Sequence, residues 1–238
     1  MKYHRTTIKV DLSFLPTNKD SVPVFLEPIL QFIEDNITEV GIFRLNGSRS
    51  QALLINETIS QHVPTIPPES TVYDVASFLK LWLMELPTPL LPPSVVSTYY
   101  GPDITRATID VLSHISLTSR LCIARIFHLL QHVIECSDKN QMTFANLSPC
   151  FVYAFTQKFN GYPGDFQFQP FFANACAHLN ENGTDFNLGL NKSIPTVPSA
   201  RRMTKTCLTP MQRRNVGYIE KKDILEAIPR DEQVNNVF

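Results

Sequence analysis

The sequence predicts an all-α protein, and three observations support that fold class. Apolar residues recur at helical spacing through residues 119–136, the strongest helical pattern in the chain. In residues 74–86 the apolar side chains share one face of a helix, which Pro87 and Pro89 then end. Similar spacing returns in several other segments, and residues 8–12 form either a short strand or an arm that packs on the core.

The composition indicates one domain followed by a tail. With 238 residues, of which 43% are hydrophobic and 18% charged, the chain can bury one sizeable core and is short for two full domains. Residues 1–190 carry 12 Lys and Arg against 17 Asp and Glu, whereas residues 191–238 carry 9 against 5. We therefore expect a domain over residues 1–182 and a basic, flexible tail over residues 183–238, with one short helix near 219–228.

The charge and the cysteine content argue against several classes of protein. An acidic domain lacks the cationic face that nucleic-acid binding needs. The N-terminus lacks the apolar run of a signal peptide, and no later segment approaches a membrane span, so a soluble, cytoplasmic monomer is expected. The five cysteines are far apart and form no CxxC pair, which favours reduced thiols over a disulfide framework or a zinc site.

The helices are predicted from apolar spacing and from the residues that interrupt it. An irregular arm over residues 1–20 precedes Pro23, which suits the first turn of a helix. Three prolines mark residues 64–68 as a loop, residues 138–140 form another loop, and Pro149 interrupts a late helical pattern. The predicted helices span residues 23–36, 50–61, 74–86, 103–115, 119–136, 142–155 and 168–179.

An arginine lies in a loop bounded by two glycines. Gly41 and Gly47 let the backbone turn tightly on either side of a buried apolar pair, so that Arg44 projects outward. Ser48 followed by Gln51 is typical of a capping box, which would fix the exit of the loop at the start of a helix. An arginine on a rigid loop can act on a partner's charge, although on spacing alone an ordinary surface cation is the commoner case.

The helix predicted over residues 74–86 has two distinct faces. On a helical wheel, Asp74, Ser77, Lys80 and Met84 lie opposite the apolar face, so we expect Lys80 to be exposed on a rigid element with Met84 exposed beside it. The apolar face comprises Val75, Leu79, Trp82, Leu83 and Leu86.

Other candidate sites are weaker. His128 and His132 have the i, i+4 spacing of a helical metal pair, but the glutamate base of a zinc hydrolase and a third ligand are missing, and we place both on a solvent-facing polar stripe. The sequence contains neither a G-x-S-x-G motif nor a P-loop, so an intrinsic hydrolase or nucleotide-binding enzyme is unsupported. The aromatic clusters near residues 151–159 and 166–172 are interpreted as core.

Three segments, in order along the chain, carry a resemblance to a known family. They read GIFRLNGS at 41–48, VASFLKLWLMELPTPLLP at 75–92 and NQMTFANL at 140–147. Together they resemble the Rho-family GTPase-activating (RhoGAP) domain, over about residues 8–182. The resemblance implies an all-α helical bundle with an irregular N-terminal arm, whose arginine loop docks on the switch regions of a small GTPase.

The resemblance also implies roles for individual residues. Arg44 matches the family's arginine finger, a guanidinium inserted in trans beside the γ-phosphate of the partner's GTP. Lys80 matches a lysine that supports the finger loop and the GTPase contact, and Asn146 matches an asparagine that hydrogen-bonds the partner. Gly41 and Gly47 frame the loop at the same contact. No cofactor or metal site of its own is implied, since GTP and Mg²⁺ belong to the GTPase.

The sequence departs from the family pattern at two places. Met84 lies four residues after Lys80, where the family usually has an arginine, so an apolar contact replaces a charged one. In the run after Asn146, Pro149 lies inside the predicted helix.

Three functions remain open on these residues. The retained arginine favours an activator that acts in trans on the GTP-bound form of a Rho-, Rac- or cell-division-cycle-type GTPase and is not itself an enzyme. The two departures favour the alternative, a catalytically weak or inactive RhoGAP-fold module that binds GTPases or other signalling partners. An unrelated helical scaffold is the third. Each is compatible with recruitment to membranes or the cytoskeleton through partners.

Overall fold

The computed structural model describes residues 6–59, 64–99, 101–157 and 167–181, and its regular secondary structure there is helical. They contain no strand, and their one β-type pairing is an isolated antiparallel bridge between Thr17 and Pro23. The all-α prediction is therefore confirmed. After a short 3-10 turn at Leu12–Phe14, the helices are α1 (Leu26–Asp35), α2 (Arg49–Ile59), α3 (Val72–Met84), α4 (Pro93–Val96), α5 (Ile104–Ser113), α6 (Leu117–Glu135), α7 (Ser137–Asn140), α8 (Phe144–Thr156) and α9 (Phe168–Glu181).

The N-terminal segment is a packing arm. Val10, Leu12 and Leu15 are buried against the helices. The backbone N–H of Thr7 donates to Oδ1 of Asn56 on α2 at 2.9 Å, which ties the arm to the bundle. Of the two alternatives left open for residues 8–12, the packing arm is therefore correct.

Helix α1 begins later than predicted. Pro23 precedes the helix, because the backbone around it pairs with the preceding turn: the N–H of Val24 donates to the carbonyl of Pro16 at 2.9 Å. The first helical residue is Leu26. A proline has no N–H to lose, so it is tolerated equally well in this extended pairing as in a first helical turn.

Helix α3 is the centre of the fold. It packs against α1, α2 and α8. Trp82 is fully buried and meets the ring of Phe25 edge to face, with ring centroids 5.1 Å apart. The predicted apolar face is buried as expected. A helix packed against several others is rigid, so the side chains on its remaining surface have well-defined positions.

A second group of rings joins α6, α8 and α9. Phe127 of α6 lies edge to face against Phe155 of α8 at 5.2 Å and meets Phe172 of α9 at 4.7 Å. All three rings are buried, as the interpretation of the aromatic clusters as core predicts.

Arg125 and His132 on the polar stripe of α6 contact α1, so the prediction that the stripe faces solvent is wrong for these two residues. Nε of Arg125 lies 3.2 Å from Oε1 of Glu27, and Nδ1 of His132 lies 2.6 Å from Oε1 of Glu34. The acidic residues of α1 complement the basic residues of α6, and this pairing makes burial of the stripe tolerable. Within the described part of the chain, no cluster of His, Cys, Asp or Glu is suited to hold a metal ion.

Two local predictions near the end of α6 also change. Residues 138–140, expected as a loop, lie in the single helical turn α7. Helix α8 continues through Pro149 without a break. Pro149 and Ala145 are both exposed, so the carbonyl that loses its helical partner can bond water.

Several predictions fall outside the described residues. The end of the helix expected at 50–61, the boundary at residue 182, the tail over 183–238 and the helix near 219–228 stay predictions. The four cysteines in the described ranges are free thiols, and Cys207 lies beyond them. In the same ranges, no helix combines the length and apolar character needed to cross a bilayer.

Candidate functional site

The loop between α1 and α2 carries Arg44 on a tight turn. The preceding Ile42 and Phe43 are fully buried, and the Phe43 ring meets Phe151 of α8 edge to face at 4.9 Å. The backbone N–H groups of Arg44 and Leu45 both donate to the carbonyl of Gly41, at 2.9 and 2.8 Å. Because the two residues before Arg44 are anchored in the core, the arginine side chain is left on the surface.

The two glycines of the loop are needed for different reasons. Gly41 has φ of 76°, in the left-handed region that favours glycine. Gly47 lies so close to the start of α3 that an added Cβ would collide with the backbone of Asp74. The backbone N–H of Gly47 donates to Oγ of Ser77 at 2.9 Å, which holds the loop against α3.

Asp74 joins the loop to helix α3. Its Oδ2 accepts from the backbone N–H of Thr71 at 2.8 Å, closing a capping box, while its Oδ1 accepts from the N–H of Ser48 at 2.6 Å. Burial opposes the charged form of this carboxylate, but the hydrogen bonds from Thr71 and Ser48 outweigh it and lower the pKa of Asp74. Asp74 is 5% exposed, so the side of α3 opposite its apolar face is also buried at this position.

The capping box predicted at Ser48 is only half formed. The N–H of Gln51 reaches Oγ of Ser48 at 3.5 Å, but the Gln51 side chain turns away and donates to Glu69 and Ser70, each at 3.2 Å. Asp74 takes the N–H of Ser48 that the box would have used. A carboxylate is the stronger acceptor, so the loop exit is fixed by a residue distant in sequence.

Lys80 turns toward the arginine loop. Its Nζ donates to the carbonyl of Phe43 at 2.7 Å and lies 3.5 Å from Oδ1 of Asn46. The side chain is half-buried, so the prediction that Lys80 is exposed is wrong. Burial lowers the pKa of Lys80, and a nearby thiol, Cys150, acts in the opposite direction. The ammonium thus holds the backbone next to Arg44 in place.

The entry of the loop is held by contacts that the sequence did not reveal. The backbone N–H of Gly41 donates to the carbonyl of Asn140 at 2.8 Å, and the hydroxyl of Tyr73 donates to the carbonyl of Val40 at 3.1 Å. Asn140 opens the third of the motif segments, and this position was the only sequence signal that could have indicated it. The loop is therefore fixed on both sides of Arg44.

The remaining predicted residues lie beside this loop. Met84, one helical turn after Lys80 on α3, is 36% exposed. Asn146 lies in the first turn of α8, and its Nδ2 donates to the carbonyl of Gln141 at 2.9 Å. Cys150, one turn further along α8, lies within electrostatic range of both Lys80 and Arg44; burial raises the pKa of its thiol and the two cations counteract that effect.

The guanidinium of Arg44 makes no hydrogen bond or ion pair with any residue that the structure describes. The guanidinium has five N–H donors, and the residue is exposed on a backbone fixed by the loop contacts. The arrangement is suited to offer one cation to an anionic group of a partner, and the described residues contain no group of His, Cys, Asp or Glu that could hold a metal ion.

The chain belongs to the RhoGAP domain family, whose family model matches residues 23–159. It is 29% identical to the human Rho GTPase-activating protein 4 over 149 residues, covering 58% of this chain and 16% of that protein. It is 30% identical to the Rho GTPase-activating protein gacY of Dictyostelium discoideum over 147 residues, covering 58% of this chain and 20% of that protein.

Solved structures agree with this family assignment at the level of the fold. The human Rho GTPase activating protein 15 superposes with a TM-score of 0.59 at 18% identity, covering 74% of this chain and 87% of that one. The BH domain from GRAF, described as a GTPase regulator associated with focal adhesion kinase, gives a TM-score of 0.56 at 19% identity, with 68% and 93% covered. The chain thus spans a small part of its longer relatives and nearly the whole of these solved domains.

Proposed function

We propose that the protein accelerates GTP hydrolysis by a Rho-type small GTPase and that Arg44 is the arginine finger. The observation that carries the proposal is the exposed Arg44 guanidinium, which has no partner among the described residues and lies on a loop fixed at both ends. Family membership supports it, because several relatives are named as Rho GTPase-activating proteins.

The chemistry required of Arg44 is electrostatic. In phosphoryl transfer, charge spreads over the oxygens of the transferred group, and a planar guanidinium placed beside them stabilises the transition state. A finger of this kind is worth roughly 10³ to 10⁵ in rate. GTP and Mg²⁺ would be bound by the GTPase, so the activator needs no cofactor of its own.

The loop is built to present the arginine without rearrangement. Lys80 fixes the carbonyl of Phe43, just before Arg44, and Asp74 and Ser77 fix the residues after it. A loop backbone already held in place loses less conformational entropy on binding, so more of the arginine's interaction contributes to rate. Lys80 acts in this proposal by supporting the loop.

The test is single-turnover GTP hydrolysis by Rho-, Rac- and cell-division-cycle-type GTPases, with and without the protein. We expect the wild-type chain to accelerate at least one of them, and Arg44→Ala to remove roughly 10³ or more of that acceleration while binding to the GTP form is retained. Arg44→Lys should recover little, because an ammonium lacks the planar fork.

Arg106→Ala is the matched control, since Arg106 is an exposed arginine on α5. It should keep the wild-type rate. Acceleration that survives in Arg44→Ala would contradict the assignment of the finger. A wild-type chain that accelerates none of the GTPases would contradict the proposed function itself.

One observation favours the second candidate function, a docking module without activity. Met84 exposes an apolar side chain beside Lys80, whose own ammonium is turned inward, so the charge offered to a partner on this face of α3 is small. Saturable binding to GTP-loaded GTPases without any acceleration, unchanged by Arg44→Ala, would establish this alternative.

A further inference from the structure

Asn140 is a fully buried asparagine at the junction of three segments. Its Nδ2 donates to the carbonyl of Ile37, just after α1, and to the carbonyl of Val133 in the last turns of α6, both at 2.9 Å. Its Oδ1 accepts from the backbone N–H of Met142 at 2.8 Å, on the way into α8. One side chain thus fixes the relative positions of three parts of the backbone.

The backbone of Asn140 also holds the arginine loop. Its carbonyl accepts from the N–H of Gly41 at 2.8 Å. The carbonyl of Gly41 in turn accepts from the N–H groups of Arg44 and Leu45. A displacement of Asn140 is therefore transmitted to the turn that carries Arg44 through two successive hydrogen bonds.

Gln141, the residue after Asn140, holds the side chain of Asn146, which the sequence also predicts to contact a partner. Gln141 has φ of 60°, which reverses the chain between α7 and α8. Its carbonyl accepts from Nδ2 of Asn146 at 2.9 Å. Arg44 and Asn146 are far apart in sequence, but hydrogen bonds connect the backbone of the first and the side chain of the second to the same buried junction.

We propose, on the basis of the function proposed above, that Asn140 is a positioning residue that fixes Arg44 and Asn146 in one frame for the transition state. Being fully buried, it does not touch the GTPase. It acts through the hydrogen bonds to Ile37, Met142 and Gly41. The role predicts a loss of maximal rate larger than any loss of binding, because a small misplacement of a catalytic group affects the transition state most.

The variant is Asn140→Ala, and its matched control is Asn56→Ala. Asn56 is also a buried asparagine that joins distant segments, but it holds the N-terminal arm through the N–H of Thr7 and not the arginine loop. Both variants are compared with wild type under conditions where circular dichroism shows each to be folded. Titrating the activator separates the maximal single-turnover rate from the half-saturating concentration.

We expect Asn140→Ala to lower the maximal rate by roughly tenfold to a hundredfold, with a smaller change in half-saturation. Asn56→Ala should leave the maximal rate unchanged. In an Arg44→Ala background, Asn140→Ala should lower the rate by a much smaller factor than in the wild type, since only the contribution through Asn146 remains. A purely structural role would lower the active fraction in both backgrounds, and that result would overturn the proposal.

A second readout needs no GTPase. Hydrogen exchange of the Gly41 amide should be slow in the wild-type chain and roughly tenfold faster or more in Asn140→Ala, but unchanged in Asn56→Ala. If no GTPase is accelerated by the wild-type chain, the proposed function fails, while this measurement still reports on Asn140 and the loop.

The outcomes that overturn the proposal are definite. A folded Asn140→Ala with wild-type maximal rate excludes it. If that variant does not fold, Asn140→Asp replaces it under the same criteria, because the carboxylate keeps the acceptor for Met142 and loses both amide donors. An unprotected Gly41 amide in the wild-type chain overturns the proposal by itself.

Discussion

Phe43 and Arg44 are neighbours in the chain and lie in opposite environments, Phe43 fully buried and Arg44 exposed. Phe43 has φ of 68°, a conformation that costs a non-glycine residue of the order of 1 kcal/mol or more. Burying its ring against Phe151 offsets that cost. The strained backbone lets one residue anchor the loop while the next projects from it.

The hydrogen bond from Lys80 to the carbonyl of Phe43 leads to a first prediction. Replacing Lys80 by methionine keeps the apolar stem but leaves the carbonyl of Phe43 without its donor. We expect Lys80→Met to lower the free energy of unfolding by about 1 to 3 kcal/mol, the usual cost of an unpaired buried acceptor, and to reduce GTPase acceleration. Urea denaturation and single-turnover hydrolysis measure the two effects.

Lys9→Met is the matched control for this prediction. Lys9 is largely exposed and lies 3.7 Å from Glu85, a surface ion pair worth about 0 to 1 kcal/mol. The Lys9→Met variant should therefore change the free energy of unfolding little and leave the acceleration of GTP hydrolysis intact. Equal effects of the two lysine variants would mean that the bond to Phe43 contributes nothing specific.

At the level of the helices, the contact between α1 and α6 includes a titratable pair, His132 and Glu34. The hydrogen bond to Glu34 raises the pKa of His132, and burial acts in the opposite direction. Burial and the neighbouring His132 lower the pKa of His128. The His132–Glu34 contribution is fully present below the pKa of an unfolded histidine, about 6.5, and is lost as the pH rises through the higher folded value.

The corresponding prediction concerns Glu34→Gln. We expect the difference in free energy of unfolding between wild type and Glu34→Gln to be larger near pH 6 than near pH 8, about the range in which histidine titrates. Both chains retain His128, whose lowered pKa gives the opposite pH dependence, and taking the difference between the two free energies of unfolding removes most of that contribution. Urea denaturation across this range is the measurement, and Glu57→Gln, an exposed glutamate on α2, is the control. A difference that grows with rising pH would contradict the assignment.

At the scale of the whole molecule, the contacts that fix the arginine loop among the described residues come from residues between 37 and 157. We therefore expect a chain that ends at residue 182 to fold and to accelerate GTP hydrolysis at the same maximal rate as the full chain. Parallel single-turnover titrations compare the two. A large loss of maximal rate on truncation would place part of the functional site in residues 183–238 and would contradict the predicted domain boundary.

The sequence by itself determined the helical class, the family and the candidate finger. Apolar spacing located α3 and α6 because a helix buries one stripe, and that stripe is a local property of the chain. Gly41 marked the turn before Arg44 because its left-handed backbone is also a local demand, whereas Gly47 is required by the close approach of α3. The local features could be predicted without knowing which elements meet.

Tertiary structure alone decided how the site is held. Lys80 bonds Phe43 across 37 positions, Ser48 reaches Asp74 across 26, and Asn140 reaches Ile37 across 103. A helical wheel places a polar side chain opposite the apolar face but cannot say whether water or another backbone lies there. Lys80 was expected in solvent for that reason, and it instead satisfies a backbone carbonyl that folding brings beside it, as Asp74 on the same side of α3 satisfies the N–H of Ser48.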